Sequence, residues 1–168
     1  LKAMNRRYTK EQYLALADKI RSEIPDIAIT TDIIVGFPGE TSEDLEETID
    51  VVKKVQFDNA FTFLYSKRTG TPAASMENQV PEEVVKPGFD RLLHVVQETA
   101  KHRAGLLAGQ YARVLVEEVN EHDSHLMTGR MSNNMLVHFP GGEELLGQFV
   151  TVYLKECRGF YYIGERMA

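Results

Sequence analysis

Gly36-Phe37-Pro38-Gly39-Glu40 is the segment of this 168-residue sequence best placed to do chemistry. Two glycines bracket Phe37-Pro38 and supply the backbone freedom of a tight strand-to-helix turn, the position where α/β sheets bind ligands. No Lys-Ser/Thr pair follows the second glycine, so the turn is not a P-loop. Glu40 stands where it faces either a ligand or the next helix. His122 and His125 have a spacing that can hold a metal, but no third ligand accompanies them, and a solvated turn is the expected state. Cys157 is the single cysteine. It excludes an internal disulfide framework and any all-cysteine metal or iron–sulfur site made by this chain alone, and its place at a strand end predicts a buried thiol. Arg6-Arg7 offers two cations to an anionic group, with a surface pair as the simpler reading.

The elements that position these residues can be read from periodicity. Ile27, Ile29, Ile33, Ile34 and Val35 form a β-branched run with little alternation, which predicts a parallel strand over 27–35 covered on both faces. Thr41 with Asp44 three residues on predicts a capped helix over 42–56, with Leu45, Ile49, Val52 and Val55 inward and a solvated acidic face outward. Upstream, Thr9 and Gln12 form a capping box for a helix carrying Tyr13, Leu16, Ala17, Ile20 and Ile24, which Pro25 ends. A second strand is predicted over 59–65, followed by a polar loop over 66–72. Pro81 opens a long helix to about residue 107, striped by Phe89, Leu92, Leu93, Val96 and Ala100. Pro87-Gly88 predicts a kink or a late start near Phe89.

Residues 1–107 therefore read as an α/β segment with two β-α repeats of a parallel sheet joined by a right-handed crossover. Two strands do not make a stable α/β domain, so this is a slice of a barrel or a unit completed by a partner chain. The open sheet edge is expected to be covered by a second copy in a homo-oligomer or by a partner. Leu1 is not a methionine, and the start reads like the middle of a larger protein.

Over 108–168 the pattern changes to five short strands about ten residues apart, which predicts an all-β, OB-like barrel with the domain boundary near 105–110. Fold analogy makes RNA the expected partner. Charge weighs against a strong electrostatic version: the whole sequence carries −6, and residues 108–168 hold five Lys/Arg against eight Asp/Glu. The expected RNA contact is therefore a local cluster of Arg130, Lys155 and Arg158 with the aromatic neighbours Phe160 and Tyr161. No apolar run approaches the roughly 20 residues of a membrane span. One cysteine fits a reducing cytosol, so a cytoplasmic protein without membrane contact is expected.

Several motifs occur in order: Met4-Asn5-Arg6-Arg7-Tyr8-Thr9, then Thr31-Asp32-Ile33-Ile34-Val35-Gly36-Phe37-Pro38-Gly39-Glu40-Thr41, then Phe61-Thr62-Phe63-Leu64-Tyr65-Ser66 and Gly70-Thr71-Pro72-Ala73-Ala74. Together they resemble the second half of the radical S-adenosylmethionine (SAM) methylthiotransferases. Thr128-Gly129-Arg130, Val137-His138-Phe139-Pro140-Gly141 and Ile163-Gly164-Glu165 resemble the closing TRAM domain of the tRNA-acting branch. The resemblance departs at Lys86-Pro87-Gly88, where the family usually keeps an uninterrupted charged helix. It implies the last β-α repeats of a TIM-like radical SAM barrel over 1–107 and a TRAM RNA-binding domain over 108–168. It also implies an enzyme that adds a methylthio group to C2 of N6-dimethylallyladenosine beside the anticodon, using SAM and two [4Fe–4S] clusters. Gly36, Phe37, Pro38, Gly39 and Glu40 then match a loop against SAM, Phe63, Leu64 and Tyr65 a strand flanking its adenine, and Arg6 a ligand of its carboxylate. The cluster cysteines would lie upstream of Leu1, so the chain alone is expected to be inactive and to need that missing N-terminal half. Its expected partner is a tRNA anticodon stem-loop. Open alternatives are a non-catalytic RNA-binding module, or a methylthiotransferase acting on another tRNA adenosine or on a ribosomal protein.

Overall fold

A computed structural model describes residues 1–167, so the final position of the expected 108–168 domain lies outside the described residues. The chain divides into two compact units, residues 1–103 and 104–168.

The first unit runs α1 (Lys10–Glu23), β1 (Thr30–Val35), α2 (Ser42–Val55), β2 (Asn59–Leu64) and α3 (Glu82–Gly105). Both expected capping boxes form, Thr9 with Gln12 and Thr41 with Asp44, because each needs only residues three apart. Strands β1 and β2 pair in parallel, with Thr30 opposite Asn59 and Val35 opposite Leu64. One face of this two-stranded sheet shares a core with the helices, built on Val35, Ala17, Ile49, Val52, Val55, Leu92 and Val96. The other face is open: Ile34, Phe61 and Phe63 are 39%, 53% and 52% exposed. The expected double coverage of β1 is therefore absent within the described residues, since only one of its faces meets helices.

Two helix expectations need correction. Leu16 and Ile24 fall outside the core, 56% and 53% exposed, because spacing alone does not say which apolar arc a neighbour will cover. Helix α3 starts at Glu82 with Pro87 inside it, not near Phe89. Pro87 costs the helix one bond, the i→i−4 donor to the Glu83 carbonyl, out of a helix of 24 residues. Asp58, just before β2, holds this unit together. Its carboxylate accepts from the Ile29 N–H at 2.8 Å, pairs with Arg21 at 3.4 Å and receives Arg103 Nε at 3.1 Å. Arg21 also donates to the carbonyls of Val55 and Gln56.

The second unit is a closed five-stranded barrel of β3 (Tyr111–Val119), β4 (Leu126–Met131), β5 (Leu136–Pro140), β6 (Phe149–Cys157) and β7 (Tyr161–Arg166), in the order β3-β4-β5-β7-β6. All neighbours are antiparallel except β5 and β7. Val114, Val116, Met127, Val137, Phe139, Val152, Leu154 and Tyr162 fill its interior. Closure at this small radius uses two matched devices. β3 is bulged between Val116 and Glu118, and β6 between Leu154 and Glu156. Opposite them sit Gly129 and Gly164, where an added Cβ would lie 2.3 Å from Val114 Cγ1 and from Val152 Cγ1 respectively. Among the described residues no helix is long and apolar enough to cross a membrane.

Candidate functional site

The glycine turn leaves the carboxyl end of β1 and feeds directly into α2. Its shape is set from within. Gly36 and Gly39 both have φ in the left-handed region, +81° and +83°. Glu40 turns back so that one carboxylate oxygen accepts the Gly36 N–H at 3.0 Å, while the Glu40 N–H donates to the Phe37 carbonyl at 2.8 Å. Burial pushes the Glu40 carboxyl above its ordinary range, and hydrogen bonds from the N–H groups of Gly36 and Phe37 oppose that. Glu40 thus ties the turn, and capping of α2 falls to Thr41 and Asp44.

Both glycines are also pressed against the chain's own later residues. A Cβ at Gly36 would lie 2.8 Å from Val85 Cγ2, and one at Gly39 2.2 Å from the Asn78 side-chain nitrogen. The Gly39 N–H donates to the Asn78 carbonyl at 2.8 Å. The space denied to a side chain here is filled by protein, which is sufficient reason for glycine at both positions.

Phe37, half-buried, meets Tyr65 edge-on at 5.5 Å, and the Tyr65 N–H donates to the Val35 carbonyl at 2.8 Å. Pro38 is buried. The ends of the two strands therefore bring the turn, Leu64 and Tyr65 together, with Phe63 on the open sheet face. Arg6 is exposed and makes no side-chain hydrogen bond or ion pair among the described residues.

On the barrel, the three cations expected to meet RNA are each matched by a glutamate. Arg130 Nε contacts Glu117 at 2.9 Å, with Asn134 Oδ1 accepting from the same guanidinium at 3.2 Å. Lys155 pairs with Glu165 at 2.7 Å, and Arg158 with Glu156 at 3.1 Å. Register places Tyr161 opposite Leu136, and Leu136 opposite Arg130, so Arg130 and Tyr161 share one row across the outer surface. Phe160, in the β6–β7 turn beside Arg158, is 90% exposed.

Beside that row lies a side-chain cluster that sequence reading missed. His138 Nδ1 faces Thr128 Oγ1 at 3.0 Å and Asn120 Nδ2 at 3.1 Å, with the ring 4.7 Å from Tyr161. An amide NH2 is a donor only, so Nδ1 accepts and the ring proton sits on Nε2. Burial lowers the His138 pKa; Glu118 raises it and His122 lowers it further. His122 and His125 lie in a turn whose N–H groups are held by the side chains of Asn120 and Asp123, and no group of three metal-ligating side chains forms among the described residues. Cys157 is partly buried against the barrel core.

Residues 106–166 match the TRAM domain, and residues 1–52 match the radical SAM superfamily. The chain is 60% identical over 167 residues to tRNA-2-methylthio-N(6)-dimethylallyladenosine synthase of Lachnoclostridium phytofermentans, covering 99% of this chain and 37% of that protein. It is 55% identical to the protein of that name from Acetivibrio thermocellus, over 94% of this chain and 33% of that protein. Identity to the Clostridium beijerinckii protein is 50%, over 98% and 36%. The chain thus spans about a third of the length of the curated relatives it matches.

Proposed function

We infer that this chain is the C-terminal part of a radical SAM tRNA methylthiotransferase, the enzyme that modifies C2 of N6-dimethylallyladenosine beside the anticodon. The observation that carries this reading is the likeness at 60% identity over 99% of the chain, which takes in the glycine turn and the barrel together. The setting is cytoplasmic, and the tRNA anticodon stem-loop is the partner.

The turn of Gly36 to Glu40 would meet the SAM nucleoside by its shape and apolar surface, since the N–H groups of Gly36, Gly39 and Glu40 are already engaged within the protein. Gly39 is exposed at the turn's outer surface, and Phe63 and Leu64 add apolar contact at the end of the adjacent strand. Glu40, half-buried and engaged with Gly36, keeps the turn in shape, and Tyr65 meets the Phe37 ring edge-on. Arg6, exposed and unengaged among the described residues, is available to a carboxylate. When bound, SAM together with a [4Fe–4S] cluster would supply the radical chemistry needed to activate the C2–H bond. This chain's residues bind and orient the nucleoside and exclude water around it. They do not fit the clusters themselves. A cysteine-held cluster of this type needs three thiolates, and the chain has only Cys157, in the barrel. The clusters therefore belong to the upstream part of the enzyme, which would also cover the open face of β1 and β2. In the expected RNA cluster of Arg130, Lys155, Arg158, Phe160 and Tyr161 every cation is paired with a glutamate, which leaves the barrel's contact with RNA to be sought on its other surfaces.

The test is to express the protein made of this chain and the upstream sequence of its own gene in a bacterium lacking its methylthiotransferase. Nucleoside mass spectrometry of the tRNA is expected to recover the 2-methylthio derivative of N6-dimethylallyladenosine, and Gly36→Val to abolish it. Unmodified tRNA with the unaltered protein overturns the reading. Reconstituted alone with iron and sulfide, this chain is expected to show no [4Fe–4S] absorbance near the visible charge-transfer band.

A further inference from the structure

The glutamate partners on the barrel change where an RNA is expected to bind. Five Lys/Arg lie in the second unit, and Arg130, Lys155 and Arg158 each spend their charge on a neighbouring carboxylate. Arg113 does not. It forms no ion pair among the described residues, and its guanidinium lies over the Phe149 ring, 4.1 Å from the centroid. Strand pairing explains the placement: Arg113 is opposite Thr151 and Leu115 opposite Phe149, so Arg113 and Phe149 are diagonal neighbours on the outer surface of β3 and β6. One step along the same surface, Tyr111 and Tyr153 face each other with ring centroids 5.2 Å apart. Tyr111 and Phe149 are 61% and 58% exposed. Tyr111, Phe149 and Thr151 border a shallow depression of about 620 Å³, with Gln148 and Arg166 on its rim.

We propose that this β3–β6 surface, anchored by the Arg113–Phe149 stack and flanked by Tyr111, is where the barrel holds unstacked bases of a single-stranded RNA loop. The inference rests on the tRNA reading above and specifies its contact. A guanidinium on an aromatic ring presents a flat cation, which accepts a base on its face and a phosphate at its edge. Charge complementarity selects the occupant. In a segment with eight Asp/Glu against five Lys/Arg, a polyanion is repelled except where a cation is uncompensated. The β4–β5 side, by contrast, has its cation held by Glu117 and Asn134 and its histidine held by Thr128 and Asn120.

The experiment titrates the whole chain against a fluorescently labelled anticodon stem-loop at two or more salt concentrations. The variants are Arg113→Ala, Arg113→Lys, Phe149→Ala and a triple Arg130→Ala/Lys155→Ala/Arg158→Ala. Arg113→Ala and Phe149→Ala are each expected to weaken binding about tenfold, on the scale of one lost base stack. Arg113→Ala should also lower the salt slope by about one, whereas Arg113→Lys keeps the slope and loses part of the affinity. The triple is expected to change affinity by less than either. Thermal melting of each variant, altered only at exposed side chains, checks that the barrel is intact. Unchanged affinity in Arg113→Ala and Phe149→Ala overturns this inference alone, as does a larger loss in the triple. Binding of the unaltered chain as a homodimer that Phe149→Ala dissociates makes the surface a protein interface and likewise overturns it. No RNA binding by the unaltered chain overturns the tRNA-contact reading along with it.

Discussion

Glu40 reaches back to the Gly36 N–H and so closes the turn on itself. Removing the carboxylate frees that N–H, whereas an amide oxygen can still accept it. Glu40→Ala is therefore expected to speed hydrogen exchange at residues 36–39 severalfold, and Glu40→Gln to leave it near the original rate. His138 makes a second prediction. Its pKa is lowered in the folded barrel, so the unfolded chain binds more protons as pH falls. The stability this gives is fully present above the ordinary histidine value of about 6.5 and is lost as pH drops through the folded pKa. Thermal melts of the chain between pH 8 and pH 5 should show the decline, and His138→Gln should flatten it. Tyr162 carries a buried hydroxyl that makes no hydrogen bond of full geometry among the described residues, with the Leu107 backbone and Cys157 beside it, and burial pushes its phenol up to about 12. Tyr162→Phe removes only that hydroxyl and is expected to raise stability by about 1 kcal/mol. A lower melting temperature would show that the hydroxyl has a partner.

The bulges of β3 and β6 act together with the glycines opposite them on β4 and β7. Gly129→Ala or Gly164→Ala would drive a Cβ into Val114 or Val152, and into the Leu115 or Tyr153 carbonyl. Either change is expected to cost about 1–3 kcal/mol by denaturant unfolding. Asp58→Asn should weaken the contacts of α1 and α3 to the start of β2 by about 2 kcal/mol, since two arginines lose their shared carboxylate. The strands were legible because alternation over 111–119 and 149–157 records the barrel's inside and outside in single residues. Both N-caps were legible because donor and acceptor are three residues apart. Asp58 was not, because its partners lie 37 and 45 residues away and no short-range pattern marks them. The Arg130 pairing was illegible for the same reason: Arg130 and Glu117 become neighbours only when β3 and β4 pair. The glycine turn showed that glycine was needed, but not that Val85 and Asn78 were the cause.

The first unit offers a half-finished surface. Ile34, Phe61 and Phe63 lie on a sheet face that none of its own helices covers. Such a face left bare favours association. Light scattering of the isolated chain is expected to show mass rising with concentration, and Phe61→Ser/Phe63→Ser to suppress the rise. If the proposed enzyme is right, mixing with its upstream part should also suppress it. A constant monomer mass at high concentration would mean the face tolerates water.

β7 enters the barrel between two strands made before it, parallel to β5 on one side and antiparallel to β6 on the other. A ribosome makes α3 before it makes any of the barrel, so all the secondary structure of the first unit is synthesised ahead of that closing strand. The roughly 60 residues from the end of α3 to the end of β7 take about 3–12 s at typical synthesis rates. For that interval the emerging β-segment has its interior valines and phenylalanine exposed and a slot in its middle. Chains stopped before β7 are therefore expected to be cut by protease within the β-segment, where β5 and β6 still lack the strand between them.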